Sequence, residues 1–169
     1  DFKKFTKAQL DAFKHFPAAQ YHFINHILPY KAYHGVEHEN STMITLGPSY
    51  SVFEKNGLYN EFLGVSSHEL YHTWNVKKIR DEKMVPYDFT KENYSELGYI
   101  AEGITTYYGD QMLLRSGAFN NQEFETCFNQ FLAKHFDNFG RFNMSVAQSS
   151  IDTWLDGYVQ GIPNRKVSI

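Results

Sequence analysis

Residues 60–75 (NEFLGVSSHELYHTWN) constrain the fold more than any other segment, because their pattern predicts a buried helix. Apolar side chains recur at helical spacing along one side of this segment: Leu63, Leu70 and Trp74. The opposite arc carries His68, Glu69 and His72, beside Val65. A buried cluster of titratable groups needs a compensating partner, and a divalent cation is the simplest one.

The remaining pattern predicts strands early in the chain and mainly helices after them, which is typical of an α+β fold. The predicted elements are a helix over 5–15 with Thr6 as its N-cap, strands over 21–28 and 42–47, a loop over 77–95, and helices over 95–115, 121–136 and 149–158. The stripe predicted for the helix over 95–115 consists of Leu97, Ile100, Ile104, Tyr108 and Met112. A chain of 169 residues is expected to form one domain or part of one.

Composition and charge exclude several classes of protein. The formal net charge is −3, whereas a nucleic-acid-binding module needs a positive excess, so we expect no nucleic-acid partner. No apolar run approaches the about 20 residues that cross a bilayer, which predicts no membrane segment in this chain. The single cysteine, Cys127, excludes an intrachain disulfide and a multi-cysteine metal site. The chain starts at Asp1 rather than Met, so we expect a piece of a longer protein, whose compartment the sequence does not indicate.

Three pairs of histidines are separated by four positions and could share a metal ion: His22 and His26, His34 and His38, His68 and His72. On a helix such residues have Cβ atoms about 5–6 Å apart. On an extended chain they lie roughly 13 Å apart, too far to share an ion. The first pair falls in a predicted strand, and the segment 34–38 has an internal glycine and is expected to be extended. The sequence therefore favours the H-E-x-x-H segment 68–72 as a zinc site, with Glu69 close to the ion as general base.

A catalytic zinc usually has three protein ligands, and the third one here should be a carboxylate or a histidine. Asp88, Glu92 and Glu96 lie in polar surroundings, whereas Glu102 is the only charged residue between positions 97 and 109 (LGYIAEGITTYYG). A lone carboxylate in an apolar helix is costly unless something compensates it. Its helical neighbours are small and predict a close approach to the helix that carries the two histidines: Gly98, Thr105, Thr106 and Gly109.

Two of these segments together resemble the glycyl-aminopeptidase family of gluzincin metallopeptidases, many of which also carry a PDZ domain. They are HELYHTWNVKKIR (68–80) and AEGITTYYGDQMLLRSG (101–117), with weaker likeness in YHGVEHENST (33–42) and SSIDTWLDGY (149–158). One departure is Asp81, where the family pattern leads us to expect proline. The resemblance implies a thermolysin-like zincin catalytic domain, mostly helical with a small N-terminal sheet, of which residues 1–169 are a truncated part. It also implies zinc bound by His68, His72 and Glu102.

The resemblance further implies that Gly35, Val36 and Glu37 lie on an edge strand beside the substrate. Glu37 would hold the free amine of the substrate, with Glu39 as the alternative, because an ammonium in a partly buried site needs an anionic partner. Asn75 either orients a zinc ligand through a hydrogen bond or only satisfies backbone groups at the helix end. In the family a tyrosine that stabilises the transition state follows a segment like 163–169. We therefore expect this chain by itself to lack part of its oxyanion stabilisation.

These features predict zinc-dependent hydrolysis of peptide bonds, most simply by an aminopeptidase, in which metal-activated water is deprotonated by Glu69. The expected partners are a peptide or protein substrate and the remaining domains of the longer protein, which could include a PDZ domain. The alternative is an inactive domain that uses zinc as a structural staple and binds peptides or proteins without turnover. Glu69 argues against that alternative, since a structural zinc site needs no general base.

Overall fold

The computed structural model describes residues 1–54 and 57–156. These residues form two compact units that alternate along the chain. The first unit consists of the described residues of Asp1–Lys78 and Thr105–Phe124, and the second consists of Ile79–Ile104 and the described residues from Glu125 onward. The expectation that residues 1–169 belong to one catalytic domain stays a prediction.

The first unit contains a three-stranded sheet formed by β1 (His22–Ile27), β2 (Ala32–Glu37) and β3 (Ser41–Gly47). The strand order is β1-β3-β2, with β1 parallel and β2 antiparallel to β3. The predicted strands over 21–28 and 42–47 are thus confirmed as β1 and β3. The residue pattern did not predict β2 as a strand, although the resemblance implied an edge strand at Gly35, Val36 and Glu37. It has an internal glycine and its exposure does not alternate regularly, so it carries a weak strand signal.

Helix α1 (Phe2–Phe13) opens the first unit and starts earlier than the sequence predicted. Asp1 occupies the N-cap position, so the prediction of Thr6 as the N-cap is wrong. The helix begins early because its aromatic residues near the start pack inward: Phe5 is fully buried, and Phe2 packs against the hydrophobic core. The helix ends where Lys14 adopts a left-handed conformation with φ of 62°.

Helix α3 (Tyr59–Tyr71), preceded by the short α2 (Ser49–Val52), confirms the buried helix predicted over 60–75. Helical hydrogen bonds continue past its end, from the amide of Asn75 to the carbonyl of Tyr71 and from that of Val76 to His72. Its side chains join the sheet in a core that also contains the following residues: Ile44, Leu46, Val52, Phe62 and Val65. Small residues Ser66 and Ser67 are also fully buried, so α3 is covered on more than one face.

The helix predicted over 95–115 is divided into a π-helical turn (Ile100–Ile104) and α4 (Thr105–Ser116). A π-helical turn bonds i to i+5, so a stripe drawn at 3.6 residues per turn does not run through it. The predicted stripe is therefore wrong in part. Met112 is buried, but Ile104 and Tyr108 are exposed, and the buried side of α4 also contains Thr105 and Gly109.

The second unit begins in the predicted loop, where Asp81 caps a 3-10 turn (Glu82–Met84) by accepting a hydrogen bond from the Lys83 amide. Ser95 donates a second hydrogen bond to the same carboxylate, so the unexpected aspartate has a local structural role. The helix predicted over 121–136 is confirmed as α5 (Asn121–Asp137), which has no buried residue.

The predicted helix over 149–158 is replaced by two short ones, α6 (Val146–Ile151) and α7 (Thr153–Asp156), while residues 157 and 158 lie outside the described residues. Ser145 caps α6 by accepting a hydrogen bond from the amide of Gln148. Among the described residues, no helix has the length and apolar character needed to cross a membrane.

Candidate metal centre

Three side chains of the H-E-x-x-H segment converge at the end of α3. The potential ligand atoms of His68, Glu69 and His72 all lie within 4.8 Å of one another. The two imidazole rings have centroids 4.5 Å apart and are nearly perpendicular. The other two histidine pairs lie on or beside the extended strands β1 and β2. The structure thus brings together the helical pair that the sequence favoured.

The buried ring of His72 has a defined tautomer. Its Nδ1 lies 2.8 Å from the backbone carbonyl oxygen of Asn75. A carbonyl oxygen can only accept a hydrogen bond, so Nδ1 carries a proton, and in the neutral ring Nε2 keeps its lone pair for a cation. Asn75, predicted as a possible orienting residue, therefore contacts this histidine through its backbone rather than its side chain. Its side-chain amide instead donates to Thr105 Oγ1 at 3.0 Å.

The partly buried ring of His68 is held from α4. Its Nδ1 lies 3.2 Å from Thr106 Oγ1. The two helices approach closely here, because a Cβ atom added to Gly109 would lie 3.2 Å from both Cα and N of His68. This confirms the close approach predicted from the small residues around Glu102, at least for Gly109.

The carboxylate of Glu69 is buried and lies against strand β2. A Cβ atom added to Gly35 would overlap Glu69 Oε1, so only glycine leaves room for the carboxylate at this position. The hydroxyl of Tyr21 donates to the backbone carbonyl of Glu69 at 3.2 Å. Burial raises the pKa of this tyrosine far above its usual value, and the charges of Glu69 and Glu37 raise it further. Tyr21 is thus a neutral hydrogen-bond donor beside the site.

The three residues predicted to contact substrate lie on β2, which is an edge strand of the described sheet. Gly35 and Glu37 pair with the buried Ile44 and Thr42 of β3, so they face the core side. Val36 alternates with them and its side chain is exposed on the opposite face.

Each candidate anchor for a substrate amine is already paired with a lysine. Glu37 Oε1 lies 3.3 Å from Lys77 Nζ, and Glu39 Oε1 lies 2.6 Å from Lys78 Nζ. The first pair is the more buried of the two. The end of β2 and the residues just after it therefore form two ion pairs with the segment that follows the H-E-x-x-H helix.

Residues 61–169 match the sequence profile of the M61 glycyl aminopeptidase family. The chain belongs to this family. Its fold is similar to the crystal structure of an aminopeptidase N family protein from Idiomarina loihiensis, with a TM-score of 0.88 and 30% identity over 98% of this chain. The similarity covers 29% of that chain, so the present chain spans less than a third of its length. No curated protein matches the chain.

Membership of the M61 family confirms the resemblance seen in the segments 68–80 and 101–117. M61 peptidases are metallopeptidases, and the group of His68, Glu69 and His72 is a possible metal site in this chain. The mixed fold, helical with a small sheet, is also as expected.

Glu102 lies in the π-helical turn of the second unit and is partly buried. Its role as the third metal ligand stays a prediction. Single π-helical turns are frequent at functional sites in proteins, which is consistent with such a role.

Sequence reasoning missed the roles of three side chains around this site. It did not single out Tyr21, and it treated Thr105 and Thr106 only as small neighbours of Glu102. The one available signal was the polar Thr-Thr pair inside an otherwise apolar segment. The partners of these side chains depend on how strands and helices align, which a single sequence does not specify.

Proposed function

We propose that this chain is the zinc-binding part of an aminopeptidase with a thermolysin-like catalytic domain. His68, His72 and Glu102 would hold the zinc ion, and Glu69 would be the general base. The observation that carries this proposal is the convergence of the H-E-x-x-H side chains within 4.8 Å in a chain of the M61 family.

The donor set fits zinc. Two imidazole nitrogens on one tetrahedral zinc ion lie about 3.3 Å apart, given Zn–N distances of about 2.0–2.1 Å. The ligand atoms of His68 and His72 lie within 4.8 Å of each other, which is close to this spacing. The proton on Nδ1 of His72 leaves Nε2 available, as a metal ligand requires.

When bound, zinc would act as a Lewis acid that activates water and polarises the scissile carbonyl. Glu69 would take the proton of the attacking water and pass it to the leaving amine. Its burial against Gly35 favours this role, because a carboxylate held in one position by packing is preorganised for proton transfer.

We further propose that the free amine of a peptide substrate pairs with Glu37, or alternatively with Glu39, at the edge strand β2. Carboxylates near an edge strand can hold a charged amine while the strand itself pairs with the peptide backbone. Gly35 and Val36 would contribute backbone groups to this pairing.

The decisive experiment is Glu69→Gln in the full-length protein, assayed with aminoacyl reporter substrates and by elemental analysis. We expect the variant to keep about one zinc per chain and to lose peptidase activity, because the amide cannot take the proton from water. Wild-type activity should also disappear with a chelator and return with zinc.

Two outcomes would contradict the proposal. Full activity in the Glu69→Gln variant would remove Glu69 from the mechanism. A wild-type protein that binds zinc and peptides but never cleaves them would favour the alternative function, a zinc-stabilised binding domain.

A further inference from the structure

We propose that Thr105 and Thr106, at the start of α4, are positioning residues that fix the orientation of both zinc-binding histidines. This inference rests on the proposed function. Each threonine acts on a different histidine, and each does so through a hydroxyl group. Two adjacent residues of one helix would therefore hold two ligands that come from another helix.

Thr106 holds His68 directly. Its Oγ1 lies 3.2 Å from His68 Nδ1. When the hydroxyl accepts the proton of Nδ1, the lone pair of the ring is left on Nε2, as in His72. Both imidazoles then offer the same nitrogen, and the ring orientation of His68 is set from α4.

Thr105 acts on His72 through the turn that follows α3. Its fully buried hydroxyl accepts a hydrogen bond from the side-chain amide of Asn75 at 3.0 Å. The same hydroxyl donates to the carbonyl oxygen of Asn75 at 3.2 Å. That carbonyl also accepts the proton of His72 Nδ1, so Thr105 fixes the acceptor that orients the ring.

The start of α4 can hold both hydroxyls in place because it is anchored to α3 by independent contacts. Gly109 packs against the backbone of His68, and its carbonyl accepts a hydrogen bond from Ser67 Oγ at 2.7 Å. Gln9 of α1 donates to the carbonyl and the hydroxyl of Ser67 at 2.9 Å and 3.0 Å. Residues of α1, α3 and α4 therefore all stabilise the contact between α3 and the start of α4.

Threonine is well suited to both positions. Its hydroxyl can accept and donate at once, as Thr105 does, and its branched Cβ restricts χ1 to few rotamers. Valine has the same shape without the hydroxyl, and serine has the hydroxyl without the branch. These two replacements therefore separate hydrogen bonding from packing.

The test uses the full-length protein and measures zinc affinity by competition with a chromophoric chelator, together with the unfolding midpoint of the zinc-free form. We expect Thr106→Val to weaken zinc binding about 10–100-fold, the usual effect of losing a partner of a metal-bound histidine. The midpoint of the zinc-free form should change little, because Thr106 is only partly buried. Thr106→Ser should retain an affinity within about threefold of wild type.

Thr105→Val should also weaken zinc binding, but with a lower unfolding midpoint, because it leaves the Asn75 amide without its acceptor in a buried site. Thr105→Ser should restore both. Ser116→Ala is the matched control, since Ser116 is a hydroxyl residue of α4 with local hydrogen bonds at the end of the helix: it donates to the carbonyl of Leu113 and accepts from the amide of Ala118. Its zinc affinity should equal that of wild type.

Wild-type zinc affinity in both valine variants would overturn the inference and leave the proposed function standing. A loss of affinity in the serine variants as large as in the valine variants would also overturn it, since packing rather than the hydroxyl would then be responsible. A wild-type protein that binds no zinc would instead refute the proposed function, and the inference with it.

Discussion

Asp110 of α4 makes the stability of this protein depend on pH. Its carboxylate lies over the helix α3, with Oδ1 3.9 Å from the position that a Cβ atom of Gly64 would take. Burial raises its pKa from 3.8 to about 6. Because the folded form binds the proton more tightly than the unfolded chain, the contribution of Asp110 to stability is greatest below about pH 4 and is lost as the pH rises through about 6.

The size of this effect follows from the shift. One pKa unit corresponds to about 1.4 kcal/mol, so the two-unit shift predicts a loss of about 3 kcal/mol, of which about 2 kcal/mol falls between about pH 4.5 and about pH 7.5. Asparagine has no charge to bury. Relative to wild type, Asp110→Asn should therefore gain about 2 kcal/mol over this range, or about 4–8 °C in the unfolding midpoint for a chain of this size.

The assay compares unfolding midpoints of wild type and Asp110→Asn across that pH range. Asp11→Asn is the control, because Asp11 is exposed and a hydrogen bond from Lys7 lowers its pKa. Its variant should change in the opposite direction and only slightly. If the difference between wild type and Asp110→Asn stays constant with pH, the carboxylate of Asp110 is not desolvated and the reasoning is refuted.

Three further predictions concern the site. Lys77→Met removes the cation that pairs with Glu37 at 3.3 Å, and should lower KM for an aminoacyl substrate severalfold, the equivalent of about 1 kcal/mol, with kcat unchanged. An unchanged KM would speak against Glu37 as the anchor, and Lys78→Met then tests Glu39. Gly35→Ala displaces the Glu69 carboxylate, and we expect kcat to fall about 10²-fold while elemental analysis still finds zinc. Gly109→Ala places a Cβ 3.2 Å from the His68 backbone, and overpacking of about 1–3 kcal/mol should outweigh the gain in helix propensity of about 1 kcal/mol. Its unfolding midpoint should fall, whereas Gly103→Ala, where the added Cβ meets no described atom within 4 Å, should not fall.

The elements that could be predicted from the sequence are those whose pattern lies within one segment. Strand β3 alternates buried and partly exposed residues along its length, and α3 has apolar residues at helical spacing. Strand β2 contains Gly35, which leaves room for the carboxylate of Glu69, a residue far away in the sequence. Its local strand pattern is therefore weak. The π-helical turn likewise shifts the spacing on which the prediction of one long helix depended.

The same distinction applies to the site. The pair His68 and His72 could be predicted because helix geometry alone brings them together. The hydroxyl partners on α4 could not, since their identity depends on how two helices align. The small size of Gly109 did predict that the helices would approach, but small size does not show which polar atoms then meet.

Each side chain of the H-E-x-x-H segment is supported by a different part of the first unit. Glu69 lies against Gly35 of β2, His72 is held by the turn at Asn75, and His68 is held by α4. A helix that was exposed on one face could not receive three such supports, which explains why α3 is buried on several sides. It also follows that a substitution in one supporting element should impair one group of the site more than the others. The threonine variants should mainly lose zinc affinity, whereas Gly35→Ala should mainly lose kcat. Comparing these two measurements tests whether the supports act separately.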